Sequence, residues 1–226
     1  MSKLLTILAT VLTMYTLTAQ TKNLQPFTAI STSGSVQVEL VKGSSPKAEY
    51  TILKGDADDL VIEVKGDELK VKIKSNSSFW KSSQTKAKVT VYYQNLSSID
   101  CSAGSSLTSE SELTSNAMDI ETSNGASCRV IIKADDVQID ASSGATLSIS
   151  GSCGTVNYDA SSGASIHGES LLATNAMADV SSGANIKLHA DKKLRADASS
   201  GGSIRYKGNP EKTDVHSSVS GSIKSY

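Results

Sequence analysis

Apolar and small residues alternate with polar ones along most of the chain, and from residue 96 onward the alternation comes in units of nearly constant length. The unit VQIDASSGATLSI puts Val137, Ile139, Ala141, Ser143, Ala145, Leu147 and Ile149 on one parity and Gln138, Asp140, Ser142, Gly144, Thr146 and Ser148 on the other. A period of two belongs to β-strands, so the first set is expected inside and the second outside. Val156, Tyr158, Ala160, Ser162, Ala164 and Ile166 repeat the pattern, as do the units around Ile99, Ile120, Val180 and Leu194.

The glycine that closes each small-polar motif stands at 104, 125, 144, 163, 183 and 201, in steps of 21, 19, 19, 20 and 18. A fixed period of this size is the signature of a solenoid. Each unit reads as two short strands joined at Ser-Ser-Gly, with a second turn such as SGSCG or SLLATNA leading to the next unit. The expected fold is all-β: a parallel β-solenoid of about 19–20 residues per rung. Right-handed winding is the default for parallel crossovers. Six or seven rungs spaced by ~4.8 Å make a rod roughly 30 Å long. The last unit, DVHSSVSGSIKSY, is one residue shorter between its apolar positions and is expected to cap the stack through Val215, Val219 and Ile223.

Residues 24–95 carry longer strands and more charge. LVIEVKGDELKVKIK predicts a hairpin with Leu60, Ile62 and Val64 facing Leu69, Val71 and Ile73. Val36, Val38 and Leu40 form an earlier strand and Lys88–Tyr93 a later one. Residues 75–86 are a polar connector that holds Phe79 and Trp80, the side chains best suited to a sugar platform. No strong helix is expected in the mature chain.

The first twenty residues place Lys3 before an uncharged apolar run and end in Ala19 and Gln20, the order of a secretory signal peptide. The run from Leu4 to Leu17 is short for a bilayer span and contains four threonines. The expected organisation is therefore 1–20 signal peptide, 21–95 N-terminal strands, and 96–226 solenoid with its cap. Export leads to the periplasm, the outer surface or the medium. A net charge of −1 gives no general attraction to nucleic acid.

Three cysteines cannot all pair with one another. Cys101 and Cys128 take inward places on opposite sides of the small corner and read as core hydrophobes. Cys153 falls in a rung-joining turn, where exposure and a bridge to Cys128 are both open.

Stacking turns single positions into columns. The outward residue before the small corner is Asp100, Glu121, Asp140, Asp159, Asp179 and Asp197 in successive units. Neighbours at ~4.8 Å repel by about 0.9 kcal/mol in bulk water, so something must offset the cost. One offset is local, with each Asp accepting hydrogen bonds from the turn's backbone. The other is a bound divalent cation such as Ca²⁺, although one carboxylate per rung is a thin ligand set and no GGxGxD repeat is present. The local reading is preferred. After the corner, the outward residues are Arg129, Ser148, His167, Lys187 and Arg205, a basic face suited to an anionic glycan or other polymer.

No catalytic constellation emerges. His167, His189 and His216 lie in no motif, and no GxSxG elbow is present. Asp140 and Asp159 could serve as a glycosidase pair, but they belong to a uniform ladder, and the chain is expected not to be an enzyme.

FTAISTSGSVQVELVKG, DDLVIEVKGDELKVKIK and KVTVYYQNLSSIDCSAGSSL together resemble the auto-transporter adhesin, head GIN domain proteins of Bacteroidetes. Gln94-Asn95-Leu96 stands where that family typically has Pro-x-Leu. The resemblance implies a β-helical, extracytoplasmic protein of a Gram-negative cell, and its name implies adhesion. It supplies no binding residue, and with a cap ending at Tyr226 no translocator barrel is expected. The leading expectation is a non-enzymatic binding module for a surface polymer, glycan or envelope protein. The alternatives are a structural or envelope-stress-related module and, third, a polysaccharide-cleaving enzyme.

Overall fold

The computed structural model describes residues 20–74, 85–218 and 220–226. Residues 1–19 of the expected signal peptide, most of the polar connector with Phe79 and Trp80, and Val219 lie outside them. Among the described residues seventeen strands form one continuous hydrogen-bonded sheet. They are β1 (Gln20–Asn23), β2 (Ala29–Ser33), β3 (Val36–Lys42), β4 (Lys47–Lys54), β5 (Leu60–Lys65), β6 (Glu68–Ile73), β7 (Lys86–Tyr93), β8 (Ser98–Ser102) and β9 (Ser106–Thr122). The series continues with β10 (Ser127–Ala141), β11 (Thr146–Ala160), β12 (Ser165–Val180), β13 (Asn185–His189), β14 (Lys193–Ala198), β15 (Ser203–Lys207), β16 (Lys212–Ser217) and β17 (Ser222–Ser225). The one helical element among the described residues is a 3₁₀ turn at Ala57–Asp59.

From β8 onward, successive rungs pair in parallel and in register, as the repeat predicts: Val137 with Val156, Tyr158 with Ala178, and Ile186 with Ile204. This is a β-solenoid of about seven turns. Inward side chains form one unbroken core that includes Leu113, Met118, Ile120, Ile139, Tyr158, Leu171 and Leu194.

The stack reaches further toward the N-terminus than the repeats read from sequence. Strand β2 pairs in parallel with both β6 and β8, and β3 with both β7 and β9, so residues 29–42 form a rung inside the stack. Gly34, at φ +83°, turns that rung by a tighter route than the later corners, with the Val36 amide donating to the Gly34 carbonyl at 2.7 Å. The predicted hairpin is present, with Leu60 opposite Ile73, Ile62 opposite Val71 and Val64 opposite Leu69. Through β5, antiparallel to β6, and β4, antiparallel to β7 and β1, it closes this end with a different pairing geometry.

The small-polar motif builds a two-residue turn. Ser143 and Gly144 both have positive φ, 52° and 70°, and the Ala145 amide donates to the Ser142 carbonyl at 3.1 Å. Paired positive φ values with this hydrogen bond match the type I′ pattern, which wants Gly or another permissive residue at both central positions. The same bond recurs from Ala126 to Ser123, Ala164 to Ser161 and Ala184 to Ser181. The alternation loses one inward place at the corner. Ala103, Asn124, Ser143, Ser162, Ser182 and Ser200, expected inside, are exposed in the left-handed region, while beyond the glycine the same parity continues and Ala126, Ala145 and Ala164 are buried as expected.

One further expectation is corrected. SGSCG and SLLATNA do not interrupt the strands, because ladder pairing runs through both from Thr146 to Ala160 and from Ser165 to Val180. Consequently Cys153 lies on the inner wall at 7% exposure rather than at the surface. At the C-terminal end Val215 is 44% exposed and every residue of β16 faces solvent, while Ile223 is half-buried. The last rung lies over the one before it, Val215 paired with Ala196 and Ile223 with Ile204, both 0% exposed, and is itself exposed because no further strand lies over it among the described residues.

The glycines separate by geometry, which gives a test. At Gly144 an added Cβ would meet nothing within 4 Å and bear only the left-handed backbone, a cost of about 1–2 kcal/mol. At Gly151, φ +115°, the Cβ would collide with the Ile132 carbonyl of the adjacent rung, so the backbone must shift at a cost of at least about 3 kcal/mol. Thermal melting should show Gly151→Ala losing clearly more stability than Gly144→Ala.

Candidate binding faces

Parallel registration converts the repeat into columns on the outside. The predicted acids do align. Asp100 pairs with Glu121, Glu121 with Asp140, Asp140 with Asp159, Asp159 with Asp179, and Asp179 with Asp197. His216 extends the column on the next rung. A groove of about 400 Å³ runs along its C-terminal half, lined by Asp159, Asp179, Asp197 and His216 together with Ser181 and Ser199.

The turn backbone does not need these carboxylates. The Gly125, Gly144, Gly163 and Gly183 amides each donate to the carbonyl of the left-handed residue on the next rung at 3.0–3.1 Å. The Ser142, Ser161 and Ser181 amides donate to Thr122, Ala141 and Ala160 on the rung before. The expectation that each Asp pins its turn is thus replaced by a backbone ladder running along the corner. Where the acids find hydrogen-bonding partners these are side chains two residues back: Gln138 donates to Asp140 at 3.2 Å and Arg195 to Asp197 at 3.4 Å. Among the described residues no three His, Cys, Asp or Glu side chains gather as a group that could hold a metal ion.

Mutual repulsion leaves its mark. Shielding from water, then the Asp140 and Asp179 charges, raise the Asp159 carboxyl above its ordinary range. Asp100 is raised by burial, then by Glu121 and Glu68, with Lys70 acting against them.

The basic column is equally regular. Arg129 pairs with Ser148, Ser148 with His167, His167 with Lys187, and Lys187 with Arg205. Lys224 continues it, so four successive rungs present a basic side chain. Sequence reading missed Lys224 because the shortened final unit hides its register. One outward position further along, His189 pairs with Lys207, whose ammonium lies 5.0 Å from the centre of the exposed Tyr226 ring. Among the described residues no carboxylate forms an ion pair with Arg129, His167, Lys187, Arg205 or Lys224, whereas His189 meets Asp191 at 2.8 Å. His216, from the opposite column, meets Asp214 at 2.9 Å.

Residues 26–210 match the model of the family described as "Putative auto-transporter adhesin, head GIN domain". The chain belongs to this family. Solved structures agree at the level of fold. A putative adhesin from Bacteroides fragilis superimposes with a TM-score of 0.79 at 17% identity, covering 94% of this chain and 98% of that one. A putative lipid binding protein from Parabacteroides distasonis gives 0.73 at 20%, covering 92% and 96%. A putative adhesin from Parabacteroides merdae gives 0.71 at 17%, covering 92% and 95%. The sequence matches no curated protein. For this family member, no helix among the described residues is long and apolar enough to cross a membrane.

The raised Asp159 value fixes the sign of a pH effect. The folded protein holds that proton more tightly than the unfolded chain, so the group costs stability as pH rises from the ordinary 3.8 through the raised value, and costs nothing below 3.8. Asp159→Asn should therefore raise the melting temperature at pH 7, with the gain vanishing near pH 3. Added salt should shrink the gain at pH 7.

Proposed function

We propose that the protein is an exported, non-enzymatic binding module that holds an anionic surface polymer along the column Arg129, His167, Lys187, Arg205 and Lys224. The reading is carried by the in-register basic run on four successive rungs from His167 to Lys224, none of them in an ion pair among the described residues. Like charges at ~4.8 Å repel, and a polymer with regularly spaced sulfate, carboxylate or phosphate groups relieves all the contacts together. Such binding is sensitive to salt, since each neutralised group releases a counterion. A rigid stack keeps the spacing fixed, so little ordering accompanies binding.

Family membership supports this reading through adhesion, and the relatives are described as adhesins or a lipid-binding protein rather than as enzymes. The leader-like N-terminus agrees with export.

The test uses immobilised dextran sulfate, neutral dextran, and vesicles with and without anionic lipid. Retention on the sulfated polymer at low salt, release by added NaCl, and no retention on neutral dextran are expected. Replacing Lys187 and Arg205 by Gln together should weaken binding by roughly tenfold, about 1.4 kcal/mol in all, while Asp140→Asn leaves it intact or slightly improved. Equal retention on both dextrans, or an unchanged affinity in the double variant, would refute the basic column. Retention on anionic vesicles alone would transfer the face to a lipid surface.

A further inference from the structure

One outward column breaks its own pattern at a single rung. Along the wall before the corner, successive rungs present Asp119, Gln138, Asn157, Met177, Arg195 and Asp214 at one outward position. Met177 is the one apolar member, and it stands 42% exposed. The neighbouring outward column, two residues earlier on each strand, reads Asp136, Thr155, Asn175, Lys193 and Lys212. Between the two columns lies a groove of about 330 Å³, floored by Ala176, Leu194 and Thr213. From Thr155 to Lys212 it crosses three rung steps, roughly 14 Å at ~4.8 Å each.

Charge is distributed unevenly along this groove. Its C-terminal end holds Lys193 and Lys212 on adjacent rungs, both exposed, and among the described residues neither ammonium is in an ion pair. On the opposite bank Arg195 is turned to Asp197 at 3.4 Å, and Asp214 meets His216 at 2.9 Å. The middle, formed by Thr155, Asn175 and Met177, carries no charge, and one rung before Thr155 the sign reverses at Asp136. A long polyanion leaving the two lysines would run into Asp136 along the rod, or into Asp179 and Asp197 across it. A single anionic group on an apolar tail meets neither obstacle. Its head relieves the repulsion between two ammoniums on neighbouring rungs. Its tail covers Met177 and the aliphatic stems of the lysines, which are themselves apolar surface.

We propose that this groove is a second binding site that takes a free, single-chain anionic amphiphile. The carboxylate, sulfate or phosphate head sits between Lys193 and Lys212, and the alkyl tail runs back past Met177 toward Thr155. The groove's volume lies at the small end of ligand sites, which suits one alkyl chain rather than a two-chain lipid. It is separate from the basic column, because Lys193 and Lys212 precede the corner of their rungs whereas Lys187, Arg205 and Lys224 follow it.

Calorimetric titration of the full chain with dodecanoate, kept below its micelle concentration, tests the site. One molecule per chain is expected, with a dissociation constant of about 1 mM or below. Butyrate, which has the head without the tail, and dodecyltrimethylammonium, which has the tail with the opposite head, should each bind at least roughly tenfold more weakly. Met177→Asn, which installs the residue of the rung before, should weaken dodecanoate by roughly tenfold, as should Lys193→Gln combined with Lys212→Gln. Lys187→Gln combined with Arg205→Gln should leave it unchanged. The replaced side chains at 177, 193 and 212 are exposed, so these variants should keep the wild-type melting temperature. Equal affinity for dodecyltrimethylammonium, uptake of many molecules per chain without saturation, or a loss that follows Lys187 and Arg205 instead of Lys193 and Lys212 would overturn the proposal. So would binding to anionic vesicles with none to free dodecanoate, which would make this wall a membrane-docking face.

Discussion

Parallel, in-register stacking is the constraint on which the rest of the structure depends. Once Val137 lies against Val156 and Tyr158 against Ala178, every side chain has its own equivalents above and below, and the chain's period becomes the period of the surface. Such stacking needs each rung to return to the same place. The type I′ corner secures that return with its internal amide–carbonyl bond and with the glycine amides that bond to the neighbouring rung. The core then needs only small residues beside the corner and large ones away from it, which is how Ala145 and Leu147 are distributed.

The same constraint explains the two charged faces. A substitution in one unit would otherwise scatter charge, but in a stack it extends a column, so Asp140 to Asp197 and Lys187 to Lys224 become lines of like charge. In the acid line, burial and then the neighbouring carboxylates raise the Asp159 and Asp100 carboxyls. A linear polyanion along the basic line is the proposed partner.

Much of this was legible in the sequence. Parity located the inner wall, the glycine spacing located the rungs, and together they predicted both columns. What failed did so for identifiable reasons. A residue in the left-handed region sits at the tip of the turn, so the second Ser of each motif turned outward although its parity pointed inward, and the alternation resumed unchanged after the glycine. Polar small residues at SGSCG imitate a turn when backbone pairing with the neighbouring rung already holds them extended, which is why Cys153 is buried. Gly34 was not recognised as a corner because it precedes longer, more charged strands, and Lys224 escaped because the final unit is short.

The central claim is that the stacked basic column is the binding face of a rigid rod. The most direct measurement is an NMR titration of the uniformly labelled protein with a short sulfated oligosaccharide, following backbone amides. The account predicts that shifts concentrate on residues 165–168, 185–189, 203–207 and 222–225, in one line along the stack, and fade with added salt. Shifts confined to the acidic groove around Asp179 and Asp197, or spread evenly over both faces, would contradict it.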